Sequence, residues 1–155
     1  MAANVLLLVP PNREPQTAVR EAIALAKSRG GTLFVVAAVD ADVMQRISDR
    51  LSDVGFIGEK VSDQVYETLS REYHERAAEL VRSIAEQAGE AGVAAQPLVE
   101  EGDPSEVCNR LVRVHDIGLA LLVAERRSWL TRLLSRGAIR LPAVASCEVR
   151  ILEED

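Results

Sequence analysis

Five arginines crowd one stretch of the chain: Arg126, Arg127, Arg132, Arg136 and Arg140, with Glu125 as the single acid between Ala120 and Cys147. A guanidinium presents a planar fork of donors that matches phosphate or carboxylate oxygens in pairs, so such a cluster has the chemistry of an anion site built from side chains. The stretch carries +4 in a chain of net charge −6, which leaves −10 for the remainder. Two accounts stay open. The arginines hold an anion, or they line a solvated loop and pair with nearby acids, as most surface charge does. The second is the simpler.

Other reactive side chains stand more alone. Asn12 offers an amide that could meet a ribose or base edge, but it lies in Pro10-Pro11-Asn12-Arg13-Glu14-Pro15, where a turn already calls for asparagine. His74 has Ser70 and Ala78 four residues to either side, which is no metal-ligand set, and reads as a surface histidine. His115 stands beside Asp116 at the end of a helical stretch, where a cation suits the helix dipole. Ser128 has no G-x-S-x-G setting and no histidine–acid pair that can be placed beside it. Cys108 and Cys147, the two cysteines, lie in apolar surroundings and are expected to be reduced and packed rather than paired in a disulfide scaffold. Glu100-Glu101 and Glu153-Glu154 are most simply solvated. Trp129, between arginines and leucines, could equally anchor a protein partner or lid the sheet edge. No catalytic residue, metal site or cofactor is expected from this inventory.

The elements that would position these residues are well marked. The chain of 155 residues, 48% apolar and 27% charged, has the size and composition of one globular domain spanning 1–155. No apolar run reaches the length of a membrane span. The first apolar run lacks a basic n-region and a cleavage site, so a cytoplasmic protein is expected. A sequence pI near 5.0 argues against a nucleic-acid binder, and 3% aromatics against base-stacking platforms. Continuous apolar runs at Asn4–Val9, Thr32–Val39 and Ile117–Ala124 predict strands buried on both faces. Val93–Glu100 reads as a strand made irregular by Pro97, and Glu148–Leu152 as the last strand. Helices are expected at Thr17–Arg29, with Pro15 at its first position, from Ser62 as cap to the Gly89/Gly92 pair that ends it, and from Asp103-Pro104-Ser105-Glu106 onward. A partly helical stretch is expected around Trp129 to Leu134, and a short helix or excursion over Asp40–Gly58.

Alternating strands and helices of this kind imply an α/β three-layer sandwich, a doubly wound five-stranded parallel sheet. Such a sheet binds ligands beyond the carboxyl ends of its strands, where strand order reverses. If a ligand binds, Asn12, Val39, Arg126, Arg127 and Arg136 are the residues expected around it.

Several local patterns, in this order and spacing, resemble the universal stress protein family across essentially the whole chain: Val9-Pro10 leading into a loop and helix, Gly30-Gly31-Thr32 turning into a strand, Val99-Glu100-Glu101-Gly102-Asp103-Pro104 entering a helix, and His115-Asp116 before the fourth strand. The resemblance implies the adenine nucleotide alpha hydrolase-like sandwich and a dimer joined through the final strand. One branch of the family binds ATP through an acidic residue after the first strand and a G-x-x-G-x9-G-[ST] loop after the fourth. Bare glycines there let backbone N–H groups approach the phosphates. Laid on that pattern, this chain has Val123, Arg126 and Arg136 at the three glycine positions, Gly137 at the hydroxyl position and Asn12 at the acidic one. The resemblance therefore implies a non-enzymatic stress-response protein that has lost the usual ATP mode. Arg126 and Arg127 standing in for the glycine loop make the alternative. Receiver domains share the layers but need acids where Pro10-Pro11-Asn12 stands, and the His-x-x-His and Ser-Gly-Gly signatures of adenylyl-transferring relatives do not occur. The alternating last strand, with Val149 and Ile151 on one face, is the expected seam of a homodimer.

Overall fold

The computed structural model describes residues 3–11, 13–41, 59–125 and 147–154. Along them run β1 (Asn4–Val9), α1 (Gln16–Arg29), β2 (Leu33–Val39), α2 (Glu59–Glu90), β3 (Ala95–Glu101), α3 (Pro104–Val114), β4 (Ile117–Glu125) and β5 (Glu148–Glu154). The strands form one five-stranded sheet in the order β3-β2-β1-β4-β5, and every pairing in it is parallel. This is the expected α/β sandwich.

Why the strands read as apolar throughout is plain from their two faces. Val5, Leu7 and Val9 of β1 and Leu33, Val35, Ala37 and Val39 of β2 share a core with Ala18, Val19, Ala22 and Ala26 of α1 and Ala77, Val81, Ile84 and Ala88 of α2. The residues between them, Leu6, Phe34, Val36 and Ala38, pack with Val107, Cys108, Leu111 and Val112 of α3 on the other face. All seven side chains of β2 are buried, because a strand with a neighbour on each side and a helix layer above and below has no solvent face. The two edge strands are less apolar, β3 burying none of its side chains fully.

Element ends differ from expectation where no local signal sets them. The long helix α2 begins at Glu59, so Ser62 lies within it rather than capping it. Pro15 is the cap residue of α1, one position before the helix. The other end of α2 is as expected: the helix stops at Glu90, between Gly89 and Gly92, and Gly92 takes the left-handed conformation at φ 83°. Pro97 keeps β3 in unbroken register, opposite Val35. An edge strand uses only part of its backbone for pairing, which is where proline is tolerated. β5 continues to Glu154, two residues further than the apolar pattern suggests, so the acidic pair Glu153-Glu154 extends the strand.

Candidate functional site at the carboxyl edge of the sheet

From β1 the chain lays β2 and β3 to one side, then returns to place β4 on the other. In open sheets of this kind ligands bind beyond the carboxyl ends that flank such a reversal, here those of β1 and β4. The strands end there on apolar residues. Val9 closes β1 at 3% exposure and Val39 closes β2 at 2%. The Val39 side chain packs into the core under α1 and α2, and its carbonyl oxygen accepts the Gly102 amide at 3.0 Å. On β4, Val123 is half-buried against that same core and pairs with Leu152 of β5. Of the residues expected around a ligand, Val39 is thus at the predicted edge. Asn12, Arg126, Arg127 and Arg136 lie outside the described residues, as do Ser128, Trp129 and all of the Asp40–Gly58 excursion beyond Ala41.

Beside the end of β1, Pro11, Arg13 and Glu14 face Arg76, Glu79 and Leu80 of α2 across an open recess of about 300 Å³. Two positive and two negative side chains give it no net sign, and Glu14 already accepts a hydrogen bond from Gln87. Among the described residues, no group of three or more His, Cys, Asp or Glu is placed to hold a metal ion.

Further along the edge, the loop from β3 to α3 is tightly tied. Asp103 caps α3, its carboxylate accepting the Ser105 amide at 3.1 Å. Gly102 stands at φ 136°, a conformation that favours glycine. The two preceding acids are not simply solvated, as expected from sequence. Glu100 accepts from Arg110 of α3 at 3.1 Å, and Glu101 meets His74 Nε2 at 3.1 Å. His74 is correspondingly half-buried rather than a free surface histidine, with Nδ1 2.7 Å from the Ser70 carbonyl oxygen. The spacing from Glu100 to Arg110 spans a strand end and a helix start, and His74 reaches Glu101 only because α2 lies along β3. Neither meeting leaves a mark in the sequence.

The cysteines behave as packing residues. Cys108 is fully buried, and its thiol is pushed up to about 12 by that burial first and by the nearby Cys147 second. Burial also raises Cys147, against the opposing pull of the Ala120 amide and Arg29, and its thiol donates to the Glu148 carbonyl at 3.4 Å. Protonated thiols are poor nucleophiles and poor metal ligands. At the opposite, amino edge, His115 ends α3 by packing: its ring stacks on Phe34 with centroids 4.4 Å apart. What the described carboxyl edge offers is apolar strand ends, a pinned loop and a recess lined by mixed charge.

The amino-acid sequence matches the model of the Universal stress protein family over residues 1–151. No curated protein matches the chain. Among solved structures, a universal stress family protein from Burkholderia pseudomallei superposes with a TM-score of 0.65 at 19% identity, covering 97% of this chain and 96% of that one. Universal stress protein UspA from Lactobacillus plantarum does so with a TM-score of 0.64 at 18% identity, covering 96% and 97%. A universal stress protein described in complex with cAMP reaches 0.56 at 15% identity, covering 98% and 97%. At these identities the likeness is one of fold. No described helix is long and apolar enough to cross a membrane.

Proposed function

The chain belongs to the universal stress protein family, and from that premise we propose that it is a non-enzymatic, cytoplasmic, homodimeric stress-response module that regulates or protects without binding ATP in the family's usual mode. The observation that carries this reading is Val123. Its half-buried side chain packs against the core of the sheet at the position where the resemblance sets the first glycine of the phosphate loop. A phosphate seated on bare main chain needs that position free of a side chain. Arg126 and Arg136 at the next two positions add bulk of the same kind.

The homodimer is supported by a contrast between the two sheet edges. β3 carries Pro97, which withholds an amide from any further strand. β5 has no proline and leaves Ile151 at 38% exposure. An edge strand without proline and with an exposed apolar residue pairs readily with its two-fold copy. Calorimetry with ATP, ADP, AMP and cyclic AMP, beside light scattering on the same sample, tests both halves. Millimolar or no ATP affinity and a dimer mass are expected; micromolar ATP affinity or a monomer mass overturns the corresponding half.

One observation favours a second reading, in which an anion or nucleotide is held by side chains. Arg126 and Arg127 follow directly on Glu125, the last residue of β4, which flanks the switch point. Micromolar affinity abolished by Arg126→Ala with Arg127→Ala would support it.

A further inference from the structure

Cys108 and Cys147 share the core on the α3 side of the sheet. Cys108 is fully buried there, and Cys147, half-buried just before β5, packs against the same cluster. The direction of each side chain follows from its element. Arg110 of α3 reaches Glu100 on β3. Cys108 lies two residues away, about 200° around the helix, so it turns from β3 toward β4 and β5. Side chains alternate along extended chain, so Cys147 shares a face with Val149, which also packs on this cluster. Val149 pairs with Ala120 of β4, whose side chain in that cluster is only a methyl group. The Ala120 amide reaches the Cys147 thiol, and Cys147 is near enough to act on the Cys108 thiol electrostatically.

We propose that Cys108 and Cys147 form a redox switch, in which hydrogen peroxide joins them in a disulfide that ties α3 to the start of β5. The two sulfurs have unequal parts. Cys147 is partly open to solvent, and the Ala120 amide and Arg29 oppose the effect of burial on its thiol, so peroxide reacts there. Its sulfur attacks the O–O bond, leaving a sulfenic acid and releasing one water. The Cys108 sulfur then attacks the sulfenic sulfur, and its proton leaves with the displaced hydroxyl as a second water. Two thiols are oxidised and one peroxide is reduced. Protonated thiols react poorly with groups arriving from solution. The second step needs no such encounter, because both partners already stand in one cluster. The bond fixes to α3 a strand whose one neighbour among the described residues of the sheet is β4. A thiol reductant reverses it by exchange.

The test is peroxide treatment of the folded full chain, followed by alkylation of free thiols in urea and measurement of the intact mass. The expected product has lost two hydrogens and takes no alkyl group. Dithiothreitol should restore both thiols, and digestion without reductant should yield peptides joined through residues 108 and 147. Cys147→Ser should slow the loss of the Cys108 thiol by roughly ten-fold or more, because Cys108 has no exposed surface of its own. Cys108→Ala, checked for folding by circular dichroism, should instead stop with added oxygen at Cys147. Three results would each overturn the switch. These are a wild-type chain with Cys147 as sulfinic acid beside an intact Cys108 thiol, disulfides between copies only, and two thiols that survive excess peroxide.

Discussion

The Asn4 side chain donates from Nδ2 to the His115 carbonyl oxygen at 2.9 Å. Its Oδ1 meanwhile accepts the Thr32 amide at 3.1 Å. One amide at the start of β1 thus satisfies two turns, the one entering β2 and the one entering β4. Asn4→Ala leaves a partly buried carbonyl and amide unpaired and should lower stability by about 1–3 kcal/mol in urea unfolding. Asn4→Asp should be no rescue: a carboxylate still accepts from Thr32 but offers His115 no donor. Unfolding midpoints within error of the wild type for both variants would refute the role.

Two adjacent glycines separate two physical requirements. At Gly31 an added Cβ would stand 2.0 Å from the Ala3 carbonyl oxygen, whereas at Gly30, with φ 68°, it would meet nothing within 4 Å. Backbone atoms cannot swing aside as a side chain can, so Gly31→Ala should destabilise by about 3 kcal/mol or more. Gly30→Ala meets open space and carries only the left-handed penalty, about 1–2 kcal/mol. Thermal unfolding of the two variants side by side should give that order; the reverse would show that β1 does not start against this turn.

Burial of the Cys108 thiol makes stability depend on alkaline pH. Its value moves from an ordinary 9.0 to about 12 in the fold, so the unfolded chain loses this proton first as pH rises. The contribution of this thiol to stability is fully present below pH 9 and is lost across the window up to about 12, by at most about 1.4 kcal/mol per pH unit. Cys108→Ala, although less stable at neutral pH for want of packing, should lose this part of the alkaline slope. An identical slope in both proteins, measured by urea unfolding at several pH values, would disprove the burial effect.

Features set by neighbouring residues were legible in the sequence, and those set by packing between distant elements were not. The Leu33–Val39 run announced a strand covered on both faces, because continuous hydrophobicity is what two helix layers demand. The start of α3 was equally plain, since Asp103 caps it through an amide two residues on. The start of α2 at Glu59 was not, as Ser62, a residue type suited to a cap, lies within the helix three residues on. At the candidate site, topology alone placed Val39 at the carboxyl edge. The pairing of Glu101 with His74, 27 residues away, depends on how α2 crosses β3, and no local pattern encodes that crossing.

Ile151 offers the sharpest test of the assembly. It stands 38% exposed on a strand whose one neighbour among the described residues of the sheet is β4, while Val149, on the same face, is half-buried against the core on the α3 side. A charge at 151 should therefore be tolerated by the single chain, with a change in stability of about 1 kcal/mol or less. In a two-fold dimer each substitution is felt twice, once from each copy. Losing about 1.5 kcal/mol of apolar burial per copy weakens association by about 3 kcal/mol, roughly a hundred-fold in dissociation constant. Ile151→Arg should then run as a folded monomer at concentrations where the wild type is dimeric. Val149→Arg should destabilise the chain itself, because its side chain is already in use. Light scattering combined with circular dichroism separates the two cases, and an Ile151→Arg protein of unchanged dimer mass would move the seam away from β5.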